Sequence, residues 1–372
     1  MNPDPKTPHA NGALAARLTL LAVSILVALL AIEGAVRVRQ YMKYGTTAVV
    51  LNAYVYDPKS DLWVPGPQMN RKQIQLDSGG FRNPELENPK PENRIRLAFL
   101  GASTTFCAEV SSNETTWPHL VARELSKRYR GVTFDYVNAG VPGYVVERSL
   151  RNLRLRVAPL QPDFILYYEA ANDFAKDSRE LAARAGYYNE KWDQPPGGLA
   201  RVSNAYYLIA KNFKIRERAR RQKEAGTLRY NPDSLSAGYE ARLVRFLRAA
   251  HEIAPVVAVA TFAHKVRHDQ TPEEKLRGSE ASLFFTPFFS PEEILDGWDA
   301  YNRRIRGAAK ESGAILIEGE DSIPGDDTHF FDSIHFLDPG ARLQADRVVK
   351  ALVASPEFNR LVTSHGGHLA SE

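Results

Sequence analysis

From residue 95 onward the chain alternates short β-favouring apolar runs with stretches in which apolar positions recur every third and fourth residue. The runs are IRLAFLG (95–101), VTFDYVNA (132–139), DFILYYE (163–169), PVVAVATF (255–262) and AILIEG (314–319). Between them lie helical patterns such as WPHLVARELSKRY, VERSLRNLRLRVAPL, YEARLVRFLRAAHEIA and DGWDAYNRRIRGAAKESG. Strand alternating with helix predicts a parallel sheet covered by helices on both faces. In such sheets ligands gather beyond the carboxyl ends of the strands. Ser103, the Asn138–Tyr144 loop and Asn172 all fall just past those ends.

Ahead of this region, Leu18–Val36 is almost wholly apolar. As a helix it spans about 28 Å, enough to cross a bilayer hydrocarbon core. Glu33 sits near its far end, where a carboxylate reaches the interface. A cleaved signal peptide needs small residues at its cleavage offsets, and Glu33 occupies the position two before Ala35, so an uncleaved anchor is expected. Lys6 and Arg17 precede the span while Arg37, Arg39 and Lys43 follow it, so flanking charge does not fix the orientation.

The expected organisation is a tail (1–17), the transmembrane anchor (18–36), an irregular lead-in rich in Pro, Asn, Asp and Gly (37–93), a main domain (94–356) and a second tail (357–372). Within the main domain, residues 174–232 are too long for an ordinary connection and read as an insertion. The insertion holds the basic stretch KNFKIRERARRQK (211–223), a predicted helix with a solvated face or a contact to anionic lipid or acidic glycan. A second long connection, 263–295, contains SLFFTPFF, whose aromatics either pack the loop down or line a substrate groove.

Composition narrows the picture. At 372 residues, 44% hydrophobic and 25% charged, the chain has material for a sizeable core and is not globally disordered. A net charge of +4 is small for this length and gives no reason to invoke nucleic acid, which calls for a concentrated basic face with base-stacking aromatics or a known motif. Cys107 is the single cysteine, which excludes an internal disulfide and a cysteine-based zinc cluster; it reads as a small packed residue near the start of a helix.

The candidate chemistry lies in two distant segments. LAFLGASTTF places Ser103 at the mouth of a strand, and FFDSIHFLDPG carries Asp332 and His335. Serine is a poor nucleophile until an oriented imidazole takes its proton, so this pairing suggests a Ser-His-Asp triad. His329 and His264 are expected to make surface or loop hydrogen bonds, with contact to substrate as the alternative for either. Asp326, Asp327 and His329 match no firm metal-ligand spacing. Asn113-Glu114-Thr115 has the form of a glycosylation sequon and is given no role.

Together these blocks resemble the SGNH hydrolases, also called the GDSL esterase and lipase family, over roughly residues 95–352. Gly101-Ala102-Ser103 stands where the family reads Gly-Asp-Ser, keeping the serine. NAGVPGY matches the second block and places the oxyanion glycine on Gly143 rather than Gly140. Ala170-Ala171-Asn172-Asp173 keeps the asparagine of the third block and loses its glycine. Asp332-Ser333-Ile334-His335, followed by Gly340, preserves the last. Neither Ala102 nor Ala170 replaces a group that acts on substrate.

The resemblance implies a three-layer α/β/α sandwich with a five-stranded parallel sheet in flavodoxin-like order. It further implies Ser103 as nucleophile, His335 as base, Asp332 as its orienting carboxylate, and an oxyanion hole from the amides of Ser103 and Gly143 and the Asn172 side chain. One such donor typically supplies about 3 kcal/mol. No metal or organic cofactor is expected.

Membrane-tethered relatives with motifs of the GASTTF and NAGVPGY type look like bacterial envelope proteins. By that likeness the chain is expected in the inner membrane, single-pass, with its main domain extracytoplasmic. The first substrate expectation is then an O-acetyl group on an envelope or exported polysaccharide. The alternatives are a lipase, lysophospholipase or thioesterase acting on longer acyl chains, a polysaccharide O-acetyltransferase, and a non-catalytic envelope scaffold. The expected partners are an acylated carbohydrate or lipid ester and, through the N-terminal helix, the membrane.

Overall fold

The computed structural model describes residues 9–44, 47, 53–188 and 197–370. Parts of the expected tails (1–8, 371 and 372), lead-in (45, 46, 48–52) and insertion (189–196) lie outside the described residues. The chain begins with helix α1 (His9–Tyr44), the hairpin β1 (Tyr54–Asp57) and β2 (Leu62–Pro65), then β3 (Arg94–Gly101), α2 (Ser103–Phe106) and α3 (Trp117–Arg128). It continues with β4 (Tyr129–Arg130), β5 (Thr133–Gly140), α4 (Val146–Asn152), β6 (Phe164–Tyr168), α5 (Ala171–Arg184), α6 (Asn204–Ala225) and α7 (Pro232–His251). The last part is β7 (Val256–Ala260), α8 (Pro272–Phe285), α9 (Pro291–Ser312), β8 (Ile315–Ile317), α10 (Asp338–Ala354), α11 (Pro356–Ser364) and β9 (His368–Leu369).

Five strands form one parallel sheet in the order β5-β3-β6-β7-β8. The predicted runs start within one residue of the observed strands and end within two. Ile95–Gly101 is buried throughout, which is why β3, apart from Arg96, reads as an apolar run rather than an alternating one. Helices α3 and α10 pack together beside the sheet, while α4 and α9 both pack against α7 in a second layer. Because β3 lies between β5 and β6, the chain runs outward in opposite directions from the β3–β6 boundary. That boundary is the switch point where sheets of this kind leave a crevice.

The lead-in does more than connect. Arg82 is fully buried, and its guanidinium donates to the carbonyl oxygens of Phe106 (2.8 Å), Cys107, Gln73 (2.7 Å) and Ser112 (3.2 Å) and to Asn113 Oδ1 (2.9 Å). All five donors are used, as a buried cation requires. Ala53, Met69 and Ile74 also cluster with Phe106, so the lead-in packs onto the turn that carries Ser103.

Three other expectations change. The expected second tail forms α11, with Phe358, Leu361 and Val362 buried, and β9 pairs with β4. The 263–295 connection contains α8, started by a capping box between Thr271 and Glu274 with Pro272 at its first position. Finally, the N-terminal helix outruns 18–36: α1 has 36 residues, and an 18-residue window within Ala13–Met42 reaches a mean hydropathy of 2.4. That helix is long and apolar enough to cross a membrane.

Candidate active site

β3 ends at Gly101, and the chain turns at once into α2, so Ser103 stands half-buried at the carboxyl edge of the sheet. Its turn is anchored from α3, where Trp117 donates its indole N–H to the Thr104 carbonyl at 3.0 Å. Trp117 is itself fixed by edge contacts with Phe99 (5.1 Å between centroids) and Tyr168 (5.8 Å).

The loop before α10 brings His335 to the same edge. Its Nε2 lies 2.8 Å from Ser103 Oγ, and its Nδ1 lies 2.8 Å from Asp332 Oδ2. The other oxygen of Asp332 accepts the backbone N–H groups of Ile334 and His335, both at 2.9 Å, which fixes the carboxylate within its own turn. Ser333 ties that turn to its neighbours. Its carbonyl accepts the Lys265 amide at 2.9 Å and its Oγ accepts the Ser282 amide at 3.2 Å.

Gly140 and Gly143 differ in what surrounds them. A side chain at Gly140 would meet Phe106 N at 2.5 Å and Ala102 O at 2.8 Å, so this glycine lets β5 press against the Ser103 turn. Gly143 has φ +85°, open space around its α-carbon, and a place on the wall of the cavity at Ser103. Asn172, in the first turn of α5, completes that wall, its Nδ2 donating one hydrogen to Tyr144 O at 3.0 Å. Among the described residues, neither the Ser103 nor the Gly143 amide has a backbone acceptor.

The cavity has a volume of about 290 Å³. Phe174, Phe285 and Trp298 make its walls mostly apolar. The aromatic stretch SLFFTPFF divides its labour: Phe285 and Thr286 line this cavity, whereas Phe288 and Phe289 pack in the core.

Burial pulls the His335 pKa down, but the Asp332 hydrogen bond and the negative charges of Glu109 and Glu169 outweigh it and push it up to about 9. Burial raises the Asp332 carboxyl, and its bond to His335 with the two backbone amides brings it to a net position below the ordinary value. Burial drives Glu169 up to about 7 and Glu109 up as well.

Sequence reasoning missed these two carboxylates. Glu169 is fully buried and accepts the Asn172 amide at 2.7 Å and the Thr104 hydroxyl at 3.1 Å, joining the serine turn to the asparagine turn. The available signal was a lone acid closing an apolar run three residues before Asn172. Among the described residues, one buried carboxylate oxygen of Glu109 has no hydrogen-bond partner, and nothing in its local pattern marks it.

The remaining candidates lie apart from the serine. His264 is buried behind the cavity wall, stacked on Trp298 at 5.8 Å, and burial lowers its pKa to about 3. Asp326 pairs with His329 at 2.7 Å and Asp327 with Lys265. Cys107 is buried at the end of α2, where burial pushes its thiol up to about 12. The Asn113 side chain is taken up by Arg82 and by Gln75, whose carbonyl it reaches at 2.7 Å.

Comparison with known proteins identifies the family. Residues 99–343 match the GDSL-like lipase/acylhydrolase family. Among solved structures, an acetylxylan esterase from Geobacillus stearothermophilus is similar at 14% identity and TM-score 0.42, with 71% of this chain and 95% of that one covered. An α/β hydrolase from the metagenome of Lake Arreo, Spain, is similar at 14% identity and TM-score 0.42, covering 69% of this chain and 94% of that one. The acetyl xylan esterase AlAXEase is similar at 16% identity and TM-score 0.40, covering 69% of this chain and 99% of that one. A search of the curated proteins gave no match. The family match spans well over half of the sequence: the chain belongs to the GDSL-like lipase/acylhydrolase family and is a carboxylic ester hydrolase of the SGNH type.

Proposed function

We infer that the hydrolysis runs through an acyl-enzyme on Ser103, with His335 as general base and acid and Asp332 as its orienting carboxylate. The observation that carries this reading is the unbroken contact from Ser103 Oγ through the His335 ring to Asp332, 2.8 Å at each step. Ser103 Oγ attacks the ester carbonyl as His335 takes its proton. The tetrahedral intermediate then collapses, His335 returns a proton to the departing alcohol, and the acyl group stays on Ser103. Water attacks the acyl-enzyme with His335 again as base, releasing the acid and restoring the serine. The amides of Ser103 and Gly143 and the second hydrogen of Asn172 Nδ2 would stabilise the oxyanion.

The substrate proposed is a short O-acyl group, acetyl first, on an envelope or exported polysaccharide. The chain would be held at the inner membrane by α1, with its catalytic domain on the extracytoplasmic side. A cavity of about 290 Å³ supports a short acyl group, since it stands at the small end of ligand sites, which run from about 300 to 1,000 Å³. Its aromatic walls favour one second reading, a lipase or thioesterase acting on somewhat longer chains. Transfer to a sugar alcohol differs only in what attacks the acyl-enzyme. Rates on p-nitrophenyl esters of increasing length, set beside acetate release from acetylated glycan, test the choice. Preference for acetyl with acetate release supports the first reading, and a rate that climbs with chain length overturns it.

A further inference from the structure

The insertion between β6 and β7 carries an apolar stripe that none of the described residues covers. Leu199, Val202, Tyr206, Ile209 and Phe213 are all exposed, Val202 and Ile209 at 65% and Phe213 at 68%. Their spacing of three, four, three and four residues puts Tyr206, Ile209 and Phe213 on one face of α6, led in by the turn before it. One step along the same face come Arg216 and Arg220. The sequence from 211 to 223 holds seven Lys or Arg against one Glu.

The start of this stripe is fixed to α1. Glu33 accepts the Ser203 hydroxyl at 2.8 Å and the amides of Asn204 and Ala205 at 3.1 and 3.0 Å, so a carboxylate of α1 caps the amino end of α6. Arg37, paired with Glu33 at 2.6 Å, donates to the Val202 carbonyl at 2.9 Å. Residues 18–32 carry no charge, so Glu33 and Arg37 stand where α1 leaves hydrocarbon for headgroups. The clasp therefore sets the amino end of α6 at interfacial depth.

We propose that residues 199–220 form a second membrane contact, lying on an anionic phospholipid surface with the apolar stripe among the upper acyl chains and the basic end among the headgroups. This rests on the reading of α1 as an anchor. An apolar face continued by cations is the composition of interfacial helices, and the lipid it meets is the bilayer that α1 enters. The consequence reaches the active site. α6 also touches α8, whose end supplies Phe285 to the cavity wall, so the lipid contact holds the Ser103 cavity at a set height above the membrane.

The test uses the full-length protein in vesicles of phosphatidylcholine with phosphatidylglycerol. An environment-sensitive fluorophore is attached through Ile209→Cys, Phe213→Cys, Leu26→Cys or Glu311→Cys, with nitroxide lipids as quenchers. Cys107 is buried, and labelled wild type provides the background. The expected result is roughly a twofold loss of emission at 209 and 213 with shallow nitroxides, as burial of about 5–10 Å requires. Loss at 26 is expected with deep nitroxides, and none at 311. Quenching at 213 should weaken in pure phosphatidylcholine.

Quenching at 26 with water-like probes at 209 and 213 overturns the proposal and leaves the anchor standing. Absence of quenching at 26 removes the anchor reading and this proposal with it. A blue shift at 209 and 213 without lipid quenching assigns the stripe to a contact between copies and also overturns it.

Discussion

The fully buried carboxylate of Glu169 accepts the backbone N–H of Asn172 at 2.7 Å. Its other oxygen takes the Thr104 hydroxyl at 3.1 Å, so one side chain sets the distance between the serine turn and the asparagine turn. Glu169→Ala leaves two buried donors unpaired and should cost roughly 2–4 kcal/mol of stability, measured by denaturant unfolding, with a fall in kcat. Glu169→Gln keeps an acceptor and should recover most of both. Equal stability for the alanine variant and wild type would show that the bridge holds nothing in place.

The pH profile follows from the charges around His335. The proposed base must be neutral to take the Ser103 proton, while its hydrogen bond to Asp332 and the nearby acids outweigh burial and hold its pKa up to about 9. Accordingly kcat/KM should rise with pH through the neutral range and level off only in the alkaline region, as the ring loses its proton. Glu109→Gln removes one of the negative charges that keep the proton on. Its limb should move to lower pH, with activity at neutral pH increased. An unmoved limb would show that Glu109 does not act on the ring.

Asn172→Ala removes a proposed oxyanion donor. The expected change is a loss of about 100- to 1,000-fold in kcat with little change in KM, read from steady-state kinetics. A rise in KM at constant kcat would place Asn172 in ground-state binding instead.

The two glycines of NAGVPGY should separate stability from turnover. Gly140→Ala forces a methyl against backbone at 2.5 Å and should lower Tm sharply. Gly143→Ala meets open space, but its φ of +85° should cost about 1–2 kcal/mol and shift the proposed oxyanion amide. The second variant should therefore remain folded and lose kcat. The opposite ranking would return the oxyanion role to Gly140.

Much of this was readable because local pattern carries it. Both faces of the central sheet are covered, so its strands appear as continuous apolar runs, and Ser103, Gly143, Asn172, Asp332 and His335 lie in short blocks at the ends of elements. What stayed hidden depends on contacts between distant segments. Glu169 meets Thr104 across 65 residues, and Arg82 reaches Cys107 across 25, with no periodicity to announce either. α8 and α11 are different, because their signals were present: Thr271-Pro272-Glu273-Glu274 opens one, and Phe358, Leu361 and Val362 form an i, i+3, i+4 face on the other. α11 is short, and α8 buries only Gly278, Ser279 and Leu283, so neither stood out from the surrounding loop-like composition.

The most direct test of the acyl-enzyme is active-site labelling of the full-length protein with a fluorophosphonate, followed by peptide mass spectrometry. The account predicts a single phosphonyl adduct on Ser103, absent from folded Ser103→Ala and strongly slowed in His335→Ala. Folded wild type that takes up no probe, or labelling that persists in Ser103→Ala, would contradict it.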